Sequence, residues 1–290
     1  MTWTADDRRG GPSLDALLPA EMAQRAEDIG ARKAGMDGMS LFALAVLAGA
    51  FIALGAVFAT VSLAGAGTMP WGAGRVLAGV VFSLGLILVV IGGAELFTGN
   101  NLIVMAWASR RVSTAALVRN WVIVFAGNAV GAVATACVVY VARTHLFGGG
   151  AVGQVALSVA HAKLQLGFVQ AVALGMLCKA LVCMAVWLTY SCRSTTDKIL
   201  AIVPPISAFV AAGFEHSIAN LYFVPVGILI ATFDPGFALS RGLEQQAAAL
   251  SLSGFLAWNL LPVTIGNVIG GVVMVGAGYW FVYLRSRAGR

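Results

Sequence analysis

Four ionisable side chains stand inside long apolar stretches of the chain: Glu95, Lys179, Glu215 and His216. An ionisable group at bilayer depth costs about 2.5–3.5 kcal/mol on insertion, so each one is a candidate for a function. His216 follows a carboxylate and can donate or accept a proton near neutral pH, which makes it the first candidate for chemistry. Each glutamate could instead cap the freed backbone N–H groups of a broken helix, and we favour that structural role for both.

The two glutamates belong to a sequence pattern, Gly-x-Glu-x4-Asn, that occurs at residues 93–100 and again at residues 213–220. A second pattern, Asn-x6-Gly-Asn-x2-Gly, follows each copy, at residues 120–131 and 259–270. Matched interruptions of this kind are typical of duplicated transport proteins whose broken helices meet at a central site. His216 stands outside the duplication, because the first copy has Leu96 at the corresponding position.

Four asparagines recur within these patterns, and they are expected to support the structure: Asn100, Asn220, Asn128 and Asn267. Amide side chains form hydrogen bonds between closely packed membrane helices. Thr98 and Lys163 each have two possible roles. The Thr98 hydroxyl could bind a small oxyanion or cap a helix. The Lys163 ammonium could attract anions to a pore mouth, or be an ordinary interfacial lysine.

The composition excludes a soluble globular domain. Hydrophobic residues make up 60% of the chain, charged residues only 10%, and the mean hydropathy is +0.90, against about 25% charged residues in soluble proteins. A membrane-spanning helix needs about 20 apolar residues. Six runs meet that need, so we predict an all-α integral membrane protein with spans near residues 41–63, 76–104, 121–141, 167–190, 199–230 and 255–284.

Most of the 18 Lys and Arg residues fall at the termini and in the loops on one side of these spans. That bias predicts cytoplasmic termini in a bacterial-type inner membrane, and it accounts for the net charge of +6 without nucleic-acid binding. Residues 1–37 are polar and predict a cytoplasmic segment with an amphipathic helix through 14–31 capped by Ser13. Residues 38–284 form the predicted channel domain, and 285–290 a cytoplasmic tail.

Several longer motifs resemble the formate/nitrite transporter family, most of all its formate channels. They are Gly-Thr-Met-Pro-Trp-Gly at 67–72, Glu-Leu-Phe-Thr at 95–98, Gly-Phe-Glu-His-Ser-Ile-Ala-Asn at 213–220 and Leu-Pro-Val-Thr-Ile-Gly-Asn at 261–267. The resemblance covers the chain from about residue 34 to 284. It implies an aquaporin-like protomer of six helices in two inverted repeats, with broken second and fifth helices, assembled as a homopentamer.

The resemblance also implies residue roles. His216 is the central polar residue between two apolar constrictions, Thr98 lies in the loop of the broken second helix, and Lys163 is the vestibular cation. The constrictions are formed by Phe82, Leu86, Leu96, Phe97 and Phe209. Lys179 departs from the family pattern, which has asparagine there. An ammonium at this position would discourage protonation of His216 and hold an anion more tightly, or it would pair with Glu95 or Glu215.

These features predict a channel or transporter for small monovalent anions of weak acids, moving together with protons. Formate is the first expectation and nitrite the alternative, with hydrosulfide third. A bare anion cannot cross an apolar ring cheaply, whereas the neutral acid can. A membrane enzyme and a non-conducting sensor are the rival classes. The sequence has no metal-ligand cluster or nucleophile motif, so no enzyme activity, cofactor or metal is expected; the expected partners are the anions, protons, lipid and further copies of the chain.

Overall fold

The computed structural model describes residues 16–286, and this part of the chain is helical. The helices are α1 Pro19–Ala34, α2 Gly38–Leu63, α3 Trp71–Gly92, α4 Phe97–Asn100, α5 Val104–Ala108, α6 Thr114–Val141, α7 Ala151–Leu164, α8 Phe168–Ser191, α9 Thr195–Ala212, α10 Ser217–Phe233, α11 Pro235–Ser240, α12 Glu244–Ala248 and α13 Leu252–Tyr283. Short 3-10 turns occupy 66–68, 101–103, 144–146 and 148–150.

Within the described residues, six helices are long and apolar enough to cross a membrane: α2, α3, α6, α8, α9 and α13. The prediction of an all-α protein with six apolar spans is confirmed. The chain is therefore a multi-pass membrane protein. Its last span is 32 residues long and contains two π-helical stretches, Phe255–Leu260 and Gly270–Ala277, which widen the turns within it.

The second and fifth spans are both interrupted at the predicted positions. Helix α3 ends where Gly93 adopts φ +77°, and α9 ends where Gly213 adopts φ +76°, a left-handed conformation that glycine reaches without strain. The backbone then runs extended through Leu96 and His216, and helix resumes at α4 and α10. Each interruption leaves backbone donors and acceptors free at membrane depth, which the surrounding helices must satisfy.

The long helices pack so that the two interruptions lie inside the bundle. Helix α2 packs against α3 and α6, α3 packs against α9, and α8 packs against α9 and α13. Helix α10 fills the space between α6 and α7. The outer faces of the spans carry exposed apolar side chains such as Val122, Val169 and Trp258, as expected of surfaces that face lipid or another copy of the chain.

Several predicted boundaries were wrong. The first helix begins at Pro19 rather than residue 14. Its N-cap is Leu18, whose backbone N–H donates to the Glu21 carboxylate at 2.9 Å. The predicted cap Ser13 lies outside the described residues. The second span starts at Trp71, after Pro70, rather than at 76. Helix α7, of 14 residues, lies between the third and fourth predicted spans, where no helix was predicted.

Candidate functional site

Two cavities open along opposite halves of α3. The outer cavity, of about 240 Å³, includes Arg75, Phe82 and Phe209 in its lining, and the inner cavity, of about 220 Å³, includes Leu86 and Leu96. Here "inner" denotes the side predicted to be cytoplasmic. The second interruption borders the outer cavity through residues 213–216, and the first borders the inner cavity through residues 93–96.

His216, which borders the outer cavity, forms a buried polar pair with Thr98. The Nε2 atom of His216 lies 3.2 Å from the Thr98 hydroxyl, and the side chains are 3% and 0% exposed. The Nδ1 atom of His216 accepts the backbone N–H of Ala219 at 3.1 Å. Because Nδ1 is occupied as an acceptor, the neutral ring carries its proton on Nε2 and donates it to the Thr98 hydroxyl oxygen. The Thr98 hydroxyl proton then remains available for a ligand.

Apolar side chains flank this polar pair on both sides. The rings of Phe82 and Phe209 meet edge to face with their centroids 5.6 Å apart, and Phe209 stacks on His216 at 5.9 Å. Leu86 lies one turn after Phe82 on α3 and borders the inner cavity together with Leu96. An anion travelling between the cavities would therefore pass apolar side chains before and after the one polar pair.

The Phe97 ring lies elsewhere than the resemblance implied. It packs edge to face against Phe125 and Trp121, with centroids 5.1 and 6.3 Å away, and it borders neither cavity. Its role in this arrangement is to hold the start of α4 against α6. Of the five predicted constriction residues, Leu86 and Leu96 border the inner cavity.

Lys179 is fully buried and contacts the Thr98 backbone rather than a carboxylate. Its ammonium donates to the Thr98 carbonyl oxygen, which also receives the Cys183 thiol at 3.7 Å. Among the described residues, Lys179 pairs with neither Glu95 nor Glu215 and borders neither cavity. The Lys179 side chain therefore holds in place the loop that carries the Thr98 hydroxyl.

Each glutamate ties its own interruption to a lysine and an asparagine. Glu95 lies 3.0 Å from the Lys33 ammonium and accepts the Asn100 amide at 2.8 Å. In the second copy, the Glu215 carboxylate lies 2.7 Å from the Lys163 ammonium and accepts the amide of the matching asparagine at 2.6 Å. This arrangement is the one expected if the glutamates stabilise their own broken helices. Sequence reasoning missed the Lys33 pair, although it singled out Lys163.

Asn120 and Asn259 extend the hydrogen-bond network around each interruption. Asn100 and Asn220 donate to the side chains of Asn120 and Asn259, which in turn donate to the carbonyl oxygens of the two paired lysines. The same hydrogen-bonding scheme thus occurs twice, with one set at the inner cavity and one at the outer.

Asn128 and Asn267 close the interruptions themselves. The Asn128 side chain accepts the Phe97 backbone N–H at 2.8 Å and donates to the Glu95 carbonyl at 2.9 Å. Asn267 does the same for Ser217 N–H and the Glu215 carbonyl, both at 2.9 Å. These bonds satisfy one backbone donor and one backbone acceptor at each interruption.

Two cations border the outer cavity. Lys163 faces it while paired with Glu215, and the Arg75 guanidinium donates to the Val210 and Ala211 carbonyls at 2.7 and 3.2 Å. Arg75 therefore caps the C-terminus of α9, where free carbonyls attract a cation. Sequence analysis had not assigned Arg75 to the site. Its position within the first two turns of a broken span was the available signal.

Comparison with known proteins agrees with this architecture. The family model described as "Formate/nitrite transporter" matches residues 20–281. The formate channel FocA of Escherichia coli strain K12 is 44% identical over 275 residues, which is 94% of this chain and 96% of FocA.

Two solved structures are also similar to this chain. One, described as a "Pentameric formate channel with formate bound", has a TM-score of 0.81 at 45% identity and covers 85% of this chain and 98% of its own. Another, an "FNT family ion channel", has a TM-score of 0.75 at 28% identity, with 90% and 98% covered. The predictions of a transport protein and of this family, rather than an enzyme, are confirmed: the chain belongs to the formate/nitrite transporter family.

Proposed function

We propose that the protein conducts small monovalent anions of weak acids across the membrane, with formate as the main substrate. The observation that carries the proposal is the His216–Thr98 pair, a single proton-exchanging site between two sets of apolar side chains. The names of the similar proteins, FocA and the formate-bound pentamer, support formate in particular.

The first step is the attraction of an anion into a cavity. The outer cavity has Arg75 and Lys163 against the single carboxylate Glu215. Positive surplus charge in a narrow cavity raises the local concentration of anions. The anion then meets the apolar rings of Phe82 and Phe209, which it crosses at low cost only as the neutral acid.

The second step is protonation at the centre. A proton from the outer cavity, which His216 borders, first converts the neutral ring to the imidazolium. The imidazolium Nε2–H then passes to Thr98 while the Thr98 hydroxyl proton passes to the anion, which leaves a neutral ring and the neutral acid. The neutral acid passes Leu86 and Leu96 and loses its proton to water in the other cavity. His216 recovers a proton from the side the anion came from. Net movement is one anion with one proton.

Nitrite is the second candidate, and Lys179 favours it. This buried cation has no carboxylate partner among the described residues and lies directly behind Thr98. When protonated, Lys179 stabilises the anionic form of a substrate and opposes a protonated His216. Nitrite is a weaker base than formate, so such a charge shifts the balance toward transport of an ion.

The assembly and topology belong to the same proposal. The protein forms a homopentamer in which each protomer has its own path, with two inverted repeats of one duplicated unit. Both termini are cytoplasmic in a bacterial-type inner membrane, residues 1–37 form a cytoplasmic segment, 38–284 the channel and 285–290 the tail. The exposed apolar outer faces of the spans support a lipid-embedded oligomer, as does the pentameric neighbour.

The test is flux into proteoliposomes for formate and nitrite measured side by side, with internal pH recorded. Formate flux ahead of nitrite, with one proton per anion, supports the neutral-acid mechanism. A nitrite flux larger than the formate flux, or an electrical current without proton movement, would indicate nitrite as the main substrate. Lys179 would then be the residue responsible for that preference. No flux of either anion would refute both formate and nitrite as substrates.

A further inference from the structure

The inner cavity carries more positive charge than its one carboxylate can balance. Arg25, Lys33 and Lys198 border it together with Glu95. Lys33 is neutralised by Glu95 at 3.0 Å. Within residues 16–286 neither Arg25 nor Lys198 takes part in an ion pair, so two cations remain unbalanced at this cavity. The outer cavity has only one surplus cation by the same comparison.

Lys198 lies at a position where a positive charge does not stabilise its helix. It lies in the first turn of α9, where the helix dipole disfavours a cation. Its neighbour Asp197 is engaged in capping, with its carboxylate 3.0 Å from the Ser194 backbone N–H. Lys198 is half-buried at the cavity wall rather than extended into solvent. Its charge therefore acts on the cavity and on whatever fills it.

Arg25 holds its charge at the same wall. One guanidinium nitrogen donates to the Tyr190 carbonyl at 3.0 Å, at the end of α8, and this bond fixes the side chain beside the cavity. The remaining guanidinium N–H groups are suited to a small oxyanion, which they can bind through two parallel hydrogen bonds.

We propose that Lys198 and Arg25 form an anion-binding site in the inner cavity. It takes small monoanions such as formate and collects them on the inner side before they reach Leu86 and Leu96. This inference rests on the proposed transport function and adds to it a loading site with its own residues, separate from His216 and Thr98. It predicts that substrate loading is easier from the inner side than from the outer.

The experiment compares saturation of formate uptake into inside-out and right-side-out membrane vesicles. The test variant is Lys198→Gln, the charge-keeping variant is Lys198→Arg, and the matched control is Arg32→Gln, an exposed cation of α1 that borders neither cavity. Removing one unit charge about 4 Å from a hydrated anion changes its local concentration about fivefold. We expect KM for uptake from the inner side to rise about fivefold in Lys198→Gln, with the maximal rate and outer-side KM unchanged.

The salt dependence of KM and the KM of Lys198→Arg test the loading site further. The KM effect should shrink in high salt, because exposed charges are screened over about 8 Å at physiological ionic strength, and Lys198→Arg should restore the wild-type KM. An unchanged inner-side KM in correctly assembled Lys198→Gln overturns the loading site, as does an equal loss of rate from both sides. Failure of the wild type to move formate at all refutes the proposed function instead, so the two failures are distinguishable.

Discussion

Replacing Glu215 by alanine should destabilise the protein more than the matching replacement of Glu95 at the first interruption. The carboxylate lies 2.7 Å from the Lys163 ammonium and also accepts the Asn220 amide at 2.6 Å. Its removal leaves a largely buried lysine and a buried amide without their partner. Because the side chains of Lys163 and Glu215 are only 13% and 6% exposed, the loss cannot be made up fully by water.

The magnitude follows from burial. Breaking a buried ion pair costs about 3–5 kcal/mol, and we expect the lower end, about 3 kcal/mol, because Lys163 borders a cavity that water can reach. Glu95→Ala should cost less, about 2 kcal/mol, since its partner Lys33 is 25% exposed and easier to solvate. At about 2–4 °C per kcal/mol for a chain near this size, Glu215→Ala lowers the unfolding temperature by ~6–12 °C.

The assay is thermal unfolding of the purified protein in detergent, with a double-mutant cycle on Lys163→Met and Glu215→Met. We expect a coupling energy on the order of 1.5 kcal/mol, within the usual range for contacting residues. Glu244→Ala is the matched control: an exposed glutamate without an ion pair in the described structure, expected to change stability by under about 0.5 kcal/mol. A coupling energy no larger than that control would refute the ion pair as the tie that holds the fifth span.

Three further changes test the path itself. His216→Asn should let formate pass without proton uptake, read as internal pH during flux; retained one-to-one uptake would contradict the relay. Lys179→Asn should change the formate-to-nitrite flux ratio at least twofold, and an unchanged ratio would leave this lysine a purely structural grip on the Thr98 loop. Leu86→Ala should raise acetate flux relative to formate severalfold, because it opens the inner apolar passage. Phe97→Ala, whose ring packs away from the cavity, should instead lose about 3–5 kcal/mol of stability with selectivity unchanged.

The sequence predicts the spans and interruptions well because apolar length, glycine and the duplicated carboxylate are local signals. It does not predict which lysine meets which glutamate, since Lys33 lies 62 residues before Glu95 and the contact depends on how α1 folds under the bundle. A signal was nevertheless present. Lys33 stands four residues before Asp37, the N-cap of α2, and Lys163 stands four residues before Gly167, the N-cap of α8.

The duplication accounts for the hydrogen bonds that hold the two interruptions, but not for the residues proposed to exchange protons. Hydrogen bonds that hold the interruptions occur in both copies: the Glu95 N–H donates to Leu44 O, and the Glu215 N–H to Leu174 O, in the same register. That register pairs Lys179 with Gly49 in the first copy, just as the sequence patterns pair His216 with Leu96.

The residues that meet at the centre therefore occur in one copy only. A duplicated unit builds a symmetric frame, but transfer of a proton needs a donor on one side and an acceptor on the other, and two identical centres would place like groups face to face. His216 from the second interruption and Thr98 from the first are the two unlike groups that meet there. Lys179 holds Thr98 in position by donating to its carbonyl oxygen. If this reasoning is right, placing histidine at Leu96 as well should not add a second relay. It should put two like groups at one centre and lower the proton-coupled flux, which the internal-pH assay measures directly.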